Sequence, residues 1–104
     1  MILVRTEFQC KWGRVREVVD GFKAQVEGAG DQDVIKRTRI LTDLSGRFDR
    51  VVIESEIESI DSYLDFMEAM FASPEFQEMQ ADLKTGPYQS GSRDFYTIEA
   101  TYEA

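Results

Sequence analysis

Residues 35–59, IKRTRILTDLSGRFDRVVIESEIES, set arginines at 37 and 39 and glutamates at 54 and 56, and the N-terminal run ILVRTEFQC repeats the two-residue spacing with Arg5 and Glu7. In an extended chain that spacing brings each pair to one face. A carboxylate whose pKa is raised by burial or by neighbouring acids is a general base, and a guanidinium beside it stabilises a developing enolate. Glu7 or Glu54 as base, with Arg5 or Arg39 as stabiliser, is the proton-transfer chemistry these residues allow. The same residues also make sense as a lattice of cross-strand ion pairs, each contributing tenths of a kcal/mol up to ~1. Trp12 stands beside Gly13, and Tyr88 follows Gly86-Pro87. Either aromatic ring can line a cleft or close a lid over the core, so the catalytic residues stay unassigned.

Two absences narrow the chemistry. The chain has no histidine, which removes the commonest general base near neutral pH and the usual zinc and proximal haem ligand. No metal and no cofactor are expected. The single cysteine, Cys10, has no partner for an internal disulfide; it is expected as a small buried hydrophobe, in keeping with a reducing, cytoplasmic location. The net charge of -8, from 20 acids against 12 bases, repels a phosphate backbone unless the bases cluster, and no basic patch is evident, so nucleic acid is not an expected partner. Nor is a membrane, because no apolar run approaches the ~20 residues of a spanning helix.

At 104 residues one domain with one core is expected over positions 1–104, burying roughly two thirds of the surface its unfolded chain exposes. Val4, Thr6, Phe8 and Cys10 alternate with Arg5, Glu7 and Gln9 as in a half-buried strand. From Arg14 to Glu27, Val15, Val18, Val19, Phe22 and Val26 recur at helical spacing, and Gly28 and Gly30 end the run. Gly21 inside this helix means either a close neighbour or a tolerated cost of up to ~1 kcal/mol. Ser45-Gly46 signals a hairpin turn. A two-residue turn pairs Arg37 with Glu54, and a loop two residues longer pairs Arg39 with Glu54 and Arg37 with Glu56. Both registers keep Ile40, Thr42, Val51, Ile53 and Ile57 together on the opposite face.

A second helix, capped by Ser59 or Asp61, sets Ile60, Tyr63, Leu64, Met67 and Phe71 on one face, with Phe66 and Met70 widening the stripe. Ser73-Pro74 breaks it and starts another segment that turns Phe76, Met79 and Leu83 inward. KTGPYQSGS reads as a loop and residues 93–102 as the last strand, with Phe95, Thr97, Glu99 and Thr101 alternating against Tyr96, Ile98, Ala100 and Tyr102.

Strand, helix, strand, strand, helix, strand is the ferredoxin-like order of an α+β domain: a four-stranded antiparallel sheet, spatial order four, one, three, two, with both helices on one side. On the other side the expected rows are Glu99 and Thr97, Arg5 and Glu7, Glu54 and Glu56, Arg37 and Arg39, opposite charges adjoining at each boundary. Ile35, Leu41, Val52 and Phe95 are expected on the same face, and this mixture suits packing against a second copy. The expected interface is Arg37, Arg39, Leu41, Val52, Glu54 and Phe95.

RILTDLSGRFDRVVIESEIES, YLDFMEAMFASPEFQ and SGSRDFYTIE resemble the dimeric α+β barrel superfamily, and within it the small NIPSNAP-like bacterial proteins. KWGR at Lys11 to Arg14 replaces the lysine-proline-glycine turn typical of the resemblance. What the resemblance implies is a homodimer whose two sheets close into a barrel. Its relatives include cofactor-independent monooxygenases, muconolactone isomerases and haem-degrading enzymes; the last use a histidine that this chain lacks. Three functions follow as expectations. The first is binding of an apolar or aromatic small molecule, favoured by Tyr63, Phe66, Met67, Met70 and Phe71 and with Arg5, Glu7, Trp12, Arg39, Glu54 and Tyr88 as candidate contacts. The second is an oxygenase or isomerase using the carboxylates above. The third is a protein-interaction module presenting Glu58, Asp61, Asp65, Glu68, Glu75, Glu78 and Asp82.

Overall fold

The structure is a computed structural model that describes residues 1–30, 32–74 and 86–104. Six elements follow in order: β1 (Ile2–Cys10), α1 (Val15–Gly28), β2 (Ile35–Thr42), β3 (Arg50–Ile57), α2 (Ile60–Phe71) and β4 (Tyr88–Thr97). The strands form one antiparallel sheet in the order β2-β3-β1-β4, the ferredoxin-like arrangement expected from the sequence.

The hairpin takes the longer-loop register, with Arg39 opposite Glu54 and Arg37 opposite Glu56. Gly46 turns the connection at φ 103° and Asp49 follows at φ 59°, a left-handed conformation that aspartate tolerates better than most side chains. The loop is tied to the end of β1: the Cys10 amide donates to the Asp49 carbonyl (2.8 Å) and Gln9 Nε2 to the Phe48 carbonyl (2.8 Å).

Face assignments in two strands, β2 and β4, differ from expectation: Ile35, Phe95 and Thr97 lie on the helix side rather than the outer one. Ile35 does not share a face with the arginines, because the register shifts between Ile35 and Arg37 and sets Ile35 opposite Ile57, in the core. A one-residue irregularity is enough, since it exchanges the faces of everything beyond it. Phe95 is also on the helix side: β4 begins at Tyr88 rather than near Arg93, and its pairing with β1 sets Phe95 opposite Val4 and Thr97 opposite Ile2. β1 dictates this. Its nine residues need a partner of matching length, and the last bond runs from the Ile98 amide to the Met1 carbonyl at 3.0 Å. Glu99 therefore lies past the paired segment, and Tyr96, opposite Leu3, takes the place expected of Phe95 on the outer face.

Ser59 caps α2, its hydroxyl accepting from the Ser62 amide at 3.3 Å. The helix ends at Phe71, and the Ser73 hydroxyl donates to the Met70 carbonyl at 2.7 Å, so the break expected at Ser73-Pro74 is present. The segment expected to follow, with Phe76, Met79 and Leu83, lies outside the described residues, as do Glu75, Glu78 and Asp82. Glu58, Asp61, Asp65 and Glu68 are exposed.

The two helices divide the core. Under α2, Val4, Ile57, Tyr63 and Met67 are buried, with Ile2, Ile35, Phe66 and Met70 packed against them. Under α1, Cys10, Val18, Val19 and Val51 are buried, with Phe8, Phe22, Ile53 and Tyr88 against them. Phe8 and Phe22 stack at 5.5 Å between centroids. Gly91 allows this, since a Cβ there would lie 3.0 Å from the Phe8 ring.

Candidate functional site

The outer face is a chain of paired charges. Arg5 Nη1 reaches Glu7 Oε2 at 3.2 Å, Arg50 Nη1 reaches the other Glu7 oxygen at 3.0 Å, and Arg50 Nε reaches Asp43 Oδ1 at 2.9 Å. Across the hairpin Arg39 pairs with Glu54, and Arg37 sits 3.6 Å from Glu56. Burial works against ionising Glu7, but hydrogen bonds from Arg50 and Arg5, reinforced by their charge, outweigh it and hold its carboxyl below the usual range. That is the wrong direction for a general base at neutral pH. Val52, expected as exposed apolar area, is already only 7 % exposed within the single chain, flanked in register by Glu7 and Leu41. Long charged side chains cover apolar surface with their stems while their heads stay wet. Leu41 and Tyr96 remain open at 40 % and 49 %. One polar atom of this face is buried without a partner, Asp43 Oδ2.

Trp12 and Tyr88 do not share a cleft. Trp12 is exposed and meets Phe48 edge-on at 5.9 Å, beside a shallow recess at the end of the sheet. Tyr88 packs at 5.2 Å against Phe8 in the core. Cys10 is buried as expected, and burial, with a smaller contribution from the Asp49 charge, pushes its thiol up.

The concave site is on the opposite face, where the two halves of the core leave a cavity of about 150 Å³, open on one side. α1 contributes Phe22 and Val26, α2 contributes Tyr63, Phe66, Met67 and Met70, and the sheet floor carries Thr6, Phe8, Ile53 and Arg93. Of the aromatic and methionine residues expected to form a ligand box, Tyr63, Phe66, Met67 and Met70 line it and Phe71 does not. Most polar groups of the lining are already engaged. Gln32 locks the loop before β2, accepting from the Val34 and Ile35 amides and donating to the Ile35 carbonyl, and Thr38 and Ser55 hydroxyls face each other at 3.5 Å.

Arg93 is the charged residue among the described lining. Its Nε donates to Thr6 Oγ1 at 3.0 Å, and its Cζ lies 5.8 Å from the centroid of the Tyr63 ring, a cation-π contact. Burial pushes the Tyr63 hydroxyl up, with the Arg93 charge opposing it. Tyr63 is therefore a neutral hydrogen-bond donor at physiological pH. Arg5, Glu7, Arg39 and Glu54 point away from this space and cannot share a ligand with it. Arg93 was missed in the sequence because residues 93–102 carry aromatics in both parities; Gly91 under Phe8 is the signal that fixes the parity, and it needs the partner strand to be read.

Among the described residues no group of three or more histidine, cysteine or acidic side chains is placed to hold a metal, and no described helix is long and apolar enough to cross a membrane. No protein-family model matches the chain, and no curated protein matches it. Solved structures do. An uncharacterized NIPSNAP domain protein from Burkholderia xenovorans superposes with a TM-score of 0.73 at 20% identity over 100% of both chains. A mutant of MhuD with two manganese protoporphyrin IX bound per active site gives 0.76 at 10% identity, again over 100% of both. An antibiotic biosynthesis monooxygenase gives 0.68 at 15%, over 96% of this chain and 100% of that one. Likeness at such identities establishes architecture rather than activity: the chain has the ferredoxin-like α+β fold shared by NIPSNAP domain proteins and antibiotic biosynthesis monooxygenases.

Proposed function

We propose that this protein is a homodimeric α+β barrel that binds a small apolar or aromatic molecule between its sheet and its helices. The observation that carries the reading is the cavity of about 150 Å³ walled by Phe8, Phe22, Tyr63, Phe66, Met67 and Met70. An apolar space of that size is enough to accept benzene, and pockets for small ligands are mostly apolar with a few placed polar groups. Methionines add adaptable, polarisable walls. The fold is compatible with this use, since the MhuD structure holds a porphyrin; this chain lacks histidine, so its ligand is taken to be organic rather than a histidine-ligated haem. Thermal denaturation against a panel of benzene-sized aromatics tests it. A ligand of the folded state raises the melting temperature with concentration, by about 2.7 kcal/mol of stabilisation at a hundredfold excess over its dissociation constant. Val26→Trp, at an exposed position of the lining, should abolish the shift. A panel that shifts nothing, or shifts Val26→Trp equally, would overturn the reading.

Assembly is proposed through the outer face. Its cations and anions alternate, so a two-fold axis can set each against its opposite, and Leu41, Tyr96 and the unpartnered Asp43 oxygen would leave water or gain a donor there. Light scattering across a dilution series should return twice the 12.0 kDa protomer mass. Arg39→Ala should shift the equilibrium toward protomer, and Glu68→Ala on α2 should not. A wild-type mass of one protomer at high concentration would refute assembly. The buried thiol of Cys10 fits a reducing compartment such as the cytoplasm.

A further inference from the structure

We infer that the ligand of the sheet-helix cavity is an aryl or arylalkyl carboxylate whose ring enters the apolar space and whose carboxylate is held by the guanidinium of Arg93. The inference rests on the reading of the cavity as a ligand site and adds the ligand's charge. Its starting point is an imbalance. The chain carries a net charge of -8, yet the charged residue among the described lining of the sheet-helix cavity is a cation. On the other face of the same sheet Arg5, Arg37, Arg39 and Arg50 each have a carboxylate within 4.0 Å. Arg93 has none among the described residues. The next residue, Asp94, pairs with Arg5 and belongs to the opposite face. The acids of α2 near this end, Asp61, Asp65 and Glu68, are exposed and make no ion pair with it.

The side chain is nevertheless held in place. Nε is engaged by Thr6 Oγ1, and the guanidinium lies over the face of Tyr63; Thr6 and Tyr63 are themselves 8 % and 4 % exposed. One edge of the fork is thereby fixed and the terminal nitrogens are left for a second partner. A planar guanidinium with two free donors matches a carboxylate, which it binds by paired, charge-assisted hydrogen bonds. The cavity volume matches one benzene-sized ring. A ring in the apolar space and an anion at its rim therefore use both features at once, and the rim position costs the carboxylate less dehydration than the interior would.

Matched pairs of probes separate this from plain apolar binding: benzoate with benzamide, phenylacetate with phenylacetamide, and hydrocinnamate with its amide, each titrated calorimetrically into the wild-type chain and into Arg93→Gln. Within a pair the shapes are nearly equal and the charge differs. At least one carboxylate should bind the wild type about tenfold or more tightly than its amide, the advantage of a charged partner over a neutral one. Arg93→Gln should remove that advantage and leave the amide within about twofold; Arg93→Lys should restore part of it, since the charge returns without the fork. Arg93 is exposed on an edge strand, and an unchanged circular dichroism spectrum will verify that the variants are folded. If amides bind as tightly as carboxylates, or Arg93→Gln leaves the preference intact, the inference fails and the cavity reading stands. If no member of any pair binds, both fail together.

Discussion

The two faces of one sheet solve the problem of charge in opposite ways. On the outer face every arginine of β1, β2 and β3 meets a carboxylate, and one carboxylate, Glu7, meets two arginines. On the helix face the charge is nearly absent, and Arg93 is held by a hydroxyl and a ring. The strands supplying both faces are the same, and only the parity differs. Compensated charge is a poor ligand site, because its partners are already in contact; an apolar cavity with an uncompensated cation is a better one.

Truncation of a buried side chain should separate the two faces most. Ile57 is fully buried on the helix face, and Ile57→Ala should cost about 3 to 4 kcal/mol by urea denaturation. Leu41→Ala, on the outer face and 40 % exposed, should cost under ~1 kcal/mol in the protomer; equal losses would refute the assignment of the core to one side. Next in size is Gly91→Val, which should cost about 2 kcal/mol, because its Cβ would meet the Phe8 ring at 3.0 Å and displace the Phe22 stack. A neutral result would show that Phe8 moves freely, and with it the cavity floor.

Arg50→Ala should lower the urea midpoint by less than Gly91→Val does, by leaving Glu7 with one cation and Asp43 without its hydrogen bond. The faces also differ in their response to pH. Glu7 has a folded pKa below its unfolded one; the stability it contributes is complete above the unfolded value, roughly pH 4, and is lost as pH falls through the folded value. Glu7→Gln should flatten that acid limb. Tyr63 on the helix face has its pKa raised, so its contribution is complete below the unfolded value, roughly pH 10, and is lost as pH rises through the folded one. Tyr63→Phe should flatten the alkaline limb only. The smallest effect lies off the sheet. Nothing lies within 4 Å of a Cβ built at Gly21, so the cost of this glycine is tolerated rather than required, and Gly21→Ala should stabilise the chain by up to ~1 kcal/mol.

By itself the sequence determined the order of elements, the strand order, a helix start at Ser59 or Asp61, the helix break at Ser73 and the parity of β1, β2 beyond its irregularity, and β3. These follow from short-range physics: periodicity of apolar residues, turn chemistry, and the loss of a helical hydrogen bond at proline. The methionine and aromatic stripe of α2 was legible for the same reason. Only the tertiary structure decided which way Ile35 and β4 face, because a bulge or a two-aromatic run such as Phe95-Tyr96 leaves local pattern degenerate and the partner strand breaks the tie. It also decided where the cavity lies. Arg5, Glu7, Arg39 and Glu54 form a motif in the sequence, yet a charge's availability depends on what stands opposite it. That is a property of the packed sheet, and it separates the paired arginines of one face from Arg93 on the other.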